Sequence, residues 1–131
     1  MRCLEGLQKK AEYLLYTKNE VRLAVPIYEK MASLGDVESY EILGGIFLEG
    51  RLIEQDIARG YRYYELGARC HNQISLFYLG LLNAFGDLIP ANPKRAYRYF
   101  YKLCNSPNCS MQHSAQNGIK YLRQRYCKKS K

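Results

Sequence analysis

Small residues bracket an aromatic ring at intervals of four in three places: Ala24, Tyr28 and Ala32; Gly60, Tyr64 and Ala68; Ala96, Phe100 and Cys104. Spacing of four returns to one face of an α-helix, so each triplet predicts a helix whose packing stripe is a ring between small neighbours. Small residues let helices approach closely while the ring fills the space between them. Ahead of the second triplet, a further helix is predicted from about Val37 to Glu49. Its end falls at Gly50, suited to a left-handed cap. Asp56 is placed to cap the helix that carries Gly60. In the corresponding place before Ala96 stand Asn92 and then Pro93, a favoured first helical residue. Residues 1–16 and 110–127 read as an N-terminal and a closing helix.

Displacing the chain by 36 residues aligns 35–70 with 71–106 without a gap. Identities fall at Leu43/Leu79, Gly44/Gly80, Gly50/Gly86, Leu52/Leu88, Ile53/Ile89, Arg59/Arg95, Tyr61/Tyr97, Arg62/Arg98 and Tyr63/Tyr99. Paired glycines and paired basic–aromatic runs in one register are beyond what composition produces, and a period of this length marks stacked two-helix units.

These residues resemble the Sel-one-like repeat, a branch of the tetratricopeptide superfamily. Leu43-Gly44, Phe47, Gly50 and Gly60-xxx-Tyr64-xxx-Ala68 satisfy the family pattern. The second copy keeps Leu79-Gly80, Gly86, Ala96 and Phe100, with Asn83 at the aromatic place and Cys104 at the last small place. The resemblance covers roughly residues 20–126. It implies an all-α fold, an α/α solenoid of helix-turn-helix repeats with about six helices and atypical ends. No linker composition interrupts the chain, so the expected organisation is one domain, 1–131. Within it, 1–34 form a cap and half repeat, 35–70 and 71–106 the repeats, and 107–131 a closing helix and basic tail.

The resemblance also implies a function: binding a partner protein through the concave face lined by first helices. Ser39, Leu43, Gly44 and Phe47 form the packing stripe, so Glu38, Glu41, Ile42, Gly45 and Glu49 point the other way. Moved by 36, those five places hold Ile74, Phe77, Tyr78, Leu81 and Phe85. One copy shows a mostly acidic face and the other an apolar, aromatic one. Such a patch marks a partner site, unless the closing helix folds over it as core. Both alternatives stand on sequence alone.

Charge adds a second candidate. The net charge of +8 is divided unevenly: residues 1–87 carry all twelve acids against ten bases, and 88–131 carry ten bases and no acid. Lys94, Arg98, Lys102, Arg123 and Arg125 form a candidate basic patch for an anionic partner, nucleic acid or an acidic membrane surface. The competing reading is a solvated basic face, with Arg62 and Arg98 inherited through duplication. The tyrosines of "YRYFYK" would suit stacking on bases. However, Tyr61, Tyr64, Tyr97 and Phe100 are expected between helices, which leaves few rings for it.

Candidate chemistry is sparse. Cys104, Cys109 and His113 lie close enough to share a zinc ion, but a structural site needs a fourth ligand. It would have to be Cys70, His71 or Cys127 from elsewhere in the chain, and no second CxxC completes it. The five cysteines, Cys3, Cys70, Cys104, Cys109 and Cys127, are odd in number and unevenly spaced. Free thiols are therefore expected, with a Cys104–Cys109 bridge as the alternative. His71 and His113 sit in no nucleophile or metal motif. No metal, cofactor or small-molecule substrate is expected, and no enzyme activity. No apolar run approaches the length of a membrane span, and the N-terminal residues do not read as a signal peptide. The expected location is the cytoplasm. An exported form would need a leader outside this sequence. The reading is a small adaptor, regulator or inhibitor of one partner, for example a bacterial immunity-type protein, a role the family resemblance implies.

Overall fold

A computed structural model of the chain describes residues 2–107 and 109–126 and contains, among them, helices and turns without strands. Helix α1 spans Arg2–Glu12 and continues as a π-helical turn, Tyr13–Thr17. After it come α2 (Val21–Ser33), α3 (Glu38–Glu49), α4 (Ile57–Arg69), α5 (Gln73–Phe85), α6 (Pro93–Cys104) and α7 (Gln112–Tyr126). Seven α-helices among the described residues fit the expected α/α solenoid of about six, and the terminal helix and the half-repeat helix are separate elements as the sequence predicts. They are parted at Asn19, which takes a left-handed φ of 56°. The chain forms two compact units, Met1–Asn72 and Gln73–Lys131.

The caps read from sequence are in place. Gly50 ends α3 at φ 62°, and the Asp56 carboxylate accepts from the Arg59 amide at 3.0 Å to start α4. In the second unit Gly86 has φ 74°, and the Asn92 side chain accepts from the Arg95 amide at 3.1 Å. The intervening loop is closed by the same bond in each copy, Asp56 N–H to Phe47 C=O at 2.9 Å and Asn92 N–H to Asn83 C=O at 2.8 Å. A Cβ on Gly50 would stand 2.4 Å from that of Gln55, so the fold needs glycine there for space as well as for dihedral.

A second turn also repeats. Gly35 ends α2 at φ 102°, with the Asp36 amide donating to Met31 C=O. His71 ends α4 at φ 63°, with the Asn72 amide donating to Gly67 C=O. The geometry is thus periodic from α2 onward, a half-unit earlier than the clear sequence match. Its next occurrence would fall at Pro107, whose ring forbids positive φ and whose nitrogen has no hydrogen to donate. The link to α7 is accordingly different, and here the sequence repeat degenerates.

In the first unit, α1 packs on α2, α2 on α3 and α3 on α4. Ala11, Val21, Ala24, Val25, Tyr28, Met31, Leu43 and Phe47 form its core. Tyr64 lies against α3 so closely that a Cβ on Gly44 would stand 2.9 Å from its ring. In the second unit, α6 packs on both α5 and α7. Phe100, fully buried, is held between Gly80 of α5 and Gly118 of α7. A Cβ on either would come within 2.5 Å and 2.7 Å of the ring. Asn83, which replaces the aromatic of the first copy, is buried and donates to Leu79 C=O at 2.9 Å. That bond answers its side-chain donor inside its own helix.

Gly80→Ala should therefore destabilise the protein by about 1–3 kcal/mol through overpacking against Phe100, despite alanine's better helix propensity. Gly6→Ala, where a Cβ would meet nothing within 4 Å, should stabilise it by about 0.5–1 kcal/mol. Urea unfolding of the two variants beside the parent reads both signs.

Candidate functional site

The apolar patch predicted on α5 divides in two. Phe77 and Leu81 are half-buried beside Phe100, Ile119, Tyr121 and Leu122, so α7 covers them in part. Tyr78 and Phe85 remain exposed, at 43% and 50%. Ile74 is half-buried. Between α5 and α7 an open cleft of about 270 Å³ remains, with Phe77, Leu81, Phe85 and Tyr121 along its walls and Phe100 with Gly118 at its floor. Phe85 meets Tyr121 edge-on with centroids 5.2 Å apart, and Phe77 meets Phe100 at 6.2 Å. The Tyr126 hydroxyl donates to Ala84 C=O at 3.1 Å and ties the far end of α7 to α5. Neither α5 nor α7 carries an acidic residue. The closing helix thus neither leaves the patch bare nor seals it, and sequence posed only those two outcomes. Serine at 114 is too small to fill the space, which was the signal to read, whereas glycine at 118 is required by its contact with Phe100.

Glu38 and Glu41 belong to the first unit and differ from each other. Glu38 is exposed. Glu41 is half-buried and accepts from the Asn72 side-chain NH2 at 2.9 Å. Burial pushes its carboxyl above the usual range, the Asn72 bond opposes that, and the Glu38 and Asp36 charges add to it. Ile42, expected outward, packs against the first core instead. Helix α3 thus presents a narrower open face than its periodicity predicts.

Sequence reasoning missed a polar cluster joining α2 to α4. The Arg59 guanidinium donates to the Glu29 carboxylate at 2.7 Å and lies 4.4 Å above the Phe47 ring. The Tyr63 hydroxyl donates to the same carboxylate. Burial pushes the Tyr63 hydroxyl above its ordinary value, and the Glu29 bond adds to it. Arg59 was visible as a repeat identity, but its partner 30 residues upstream lies outside any local pattern.

The five predicted basic residues, Lys94, Arg98, Lys102, Arg123 and Arg125, are all exposed. Arg125 stands over the Tyr126 ring at 5.6 Å. The expectation for Tyr97 is overturned. It lies on the outer side of α6, 39% exposed, stacked on Tyr101 with centroids 5.8 Å apart and planes 20° apart. Only Tyr64 and Phe100 of the four rings are buried, and Tyr61 is half-buried. The reason is angular: Tyr97 stands three residues before Phe100, about 60° from it around the helix, toward the open side.

Cys70, Cys104 and Cys109 are free thiols, which removes the Cys104–Cys109 bridge as an alternative. Cys104 is half-buried at its small-residue place. Burial pushes its thiol up and the neighbouring Cys109 adds to the shift, which disfavours the reactive thiolate. Among the described residues, no group of three potential ligands could hold a metal. Cys127 lies outside them. No helix among them is long and apolar enough to cross a membrane.

The family model described as Sel1 repeat matches residues 37–72 and again 73–108 of this chain. Human "Protein sel-1 homolog 2" is 32% identical over 105 residues, covering 78% of this chain and 15% of the human protein. A solved Sel1 repeat protein from Oxalobacter formigenes superposes with a TM-score of 0.64 over 92% of this chain and 58% of its own, at 21% identity. This chain therefore spans only part of the length of either relative.

The raised carboxyl of Glu41 has a measurable sign. A folded-state value above the unfolded one favours the protonated form, so the ionised side chain costs stability at neutral pH and that cost vanishes on acidification. Glu41→Gln, which keeps an acceptor for Asn72, should melt above the parent at pH 7. The difference should close as pH falls below the ordinary carboxylate range, as thermal melts across a pH series will read.

Proposed function

The chain belongs to the Sel1 repeat family, and from that premise we propose that it is a non-catalytic module whose α5–α7 cleft receives an apolar segment of one partner protein. Sel1 repeats mediate protein–protein interaction. The observation that carries the specific reading is the cleft itself. Phe85 is a large, half-exposed ring on the wall of a well-packed cleft, and the exposed Tyr78 stands on the same helix edge-on to Phe77 of that wall. Aromatic anchors next to rigid pockets supply much of the energy of protein interfaces. The burial of Phe77 and Leu81 fixes the walls, so little conformational entropy is lost on docking. With two matched repeats, the role that fits is a small adaptor or regulator, including a stoichiometric inhibitor of immunity type. Free thiols at Cys70, Cys104 and Cys109 suit a reducing compartment, and we place the action in the cytoplasm.

The test separates binding from folding by exposure. Phe85→Ala removes a ring that is already half in solvent, and should leave the melting temperature within a few degrees. It should nevertheless cut capture of the main partner at least tenfold in affinity purification with mass spectrometry at two salt concentrations. Phe100→Ala, by contrast, should cost about 3–5 kcal/mol of stability and unfold the second unit. Retention of the same partner by a folded Phe85→Ala/Tyr78→Ala protein would place the binding surface elsewhere.

A further inference from the structure

The outer side of α6 is a candidate binding surface that the protein-interaction reading does not use. At 100° per residue, Lys94, Tyr97, Arg98, Tyr101 and Lys102 fall within an arc of about 140°, opposite the buried stripe of Ala96, Phe100 and Leu103. All five are exposed. Tyr97 and Tyr101 are stacked on each other, which holds two rings nearly parallel at the surface. Three cations flank them over about 12 Å of helix, and the sequence from residue 88 onward supplies no acid to neutralise them.

Inheritance from the repeat does not account for this face. In the 36-residue register its five places correspond in α4 to Ala58, Tyr61, Arg62, Glu65 and Leu66. There Arg62 pairs with Glu65 at 3.7 Å. The second copy has thus replaced an acid by the second stacking ring and gained two lysines. Only one tyrosine and one arginine are shared.

We propose that this face binds single-stranded nucleic acid. Its cations would take backbone phosphates, and the Tyr97–Tyr101 stack would be extended by a base. Stacking is tolerant of sequence because every base has a π-face, so the ligand class is a single strand rather than a particular sequence. A duplex hides its base faces and offers only phosphates to such a surface. An acidic membrane would also satisfy the charge. Yet α6 spends its apolar stripe on the interior of its unit, leaving no aliphatic side chain here to enter lipid.

The experiment uses the full chain and a fluorescein-labelled oligothymidylate of about 12 nucleotides, read by anisotropy. With three phosphate contacts, the single-strand slope predicts that affinity falls about twentyfold between roughly 50 and 200 mM salt. Tyr97→Ala/Tyr101→Ala should weaken binding about tenfold or more. Tyr97→Phe/Tyr101→Phe, which keeps the rings, should bind like the parent. Lys94→Gln/Arg98→Gln/Lys102→Gln should weaken binding and flatten the salt dependence, while Phe85→Ala should leave it unchanged. Every variant keeps the C-terminal lysines. Parent-like binding by the double alanine variant, equal affinity for a duplex of the same length, or binding to phosphatidylglycerol vesicles without binding to the oligonucleotide would each overturn the proposal.

Discussion

Each unit depends on one aromatic ring pressed against a helix that has no side chain to offer. Tyr64 lies on Gly44, and Phe100 lies between Gly80 and Gly118. With the ring inserted, neighbouring backbones come close and dispersion contacts are made on every face of it. Without glycine the ring has no seat, and without the ring the glycines are only weak helix formers. The stripe of small residues about a ring, repeated every 36 positions, is therefore a packing instruction more than a composition bias. Phe100 carries the heavier duty. Three helices supply its surroundings, and the candidate cleft has it for a floor.

Much of this was legible beforehand. Gly50, Gly86, Asp56 and Asn92 announce themselves by residue type, since left-handed caps and side-chain acceptors are jobs few residues do well. Ser39, Leu43, Gly44 and Phe47 were read as the packed stripe of α3 and are its buried residues. The misses are of another kind. Tyr97 is expected between helices with Phe100, whereas a turn of about 60° on a helix moves a side chain from core to surface. Ile42 went the other way, because α1 and α2 enlarge the first core beyond what one repeat would bury. The Glu29–Arg59–Tyr63 cluster joins residues from different hairpins, and no single-helix pattern contains it. Whether α7 covers the α5 patch was a question about side-chain volume across two helices. Only Ser114 hinted at the answer.

The two candidate surfaces of the second unit use aromatic residues in opposite ways. Along the cleft, rings meet edge to face and line a hollow that an apolar segment could enter. On α6 the rings are nearly parallel, raised among cations, and present a flat face. Desolvation dominates the first and charge the second. One small helical unit can carry both because α6 turns one side to Phe100's neighbours and the other to solvent.

Pro107 has a consequence for how freely this chain can vary. Residues in the two matched copies answer to a shared template: the same loop bond, the same left-handed turn and the same ring seat recur at fixed separation. Drift at one of those places loosens the loop or the ring seat of its own copy. A proline where the turn would recur cancels that obligation for the closing helix. Helix α7 has to seat Gly118 against Phe100, pack Ile119, Tyr121 and Leu122 on the core and bond Tyr126 to Ala84, and its exposed positions are released to selection for surface properties. There Lys120, Arg123 and Arg125 have accumulated without a single acid among them. Geometry ends at the proline, and chemical licence begins.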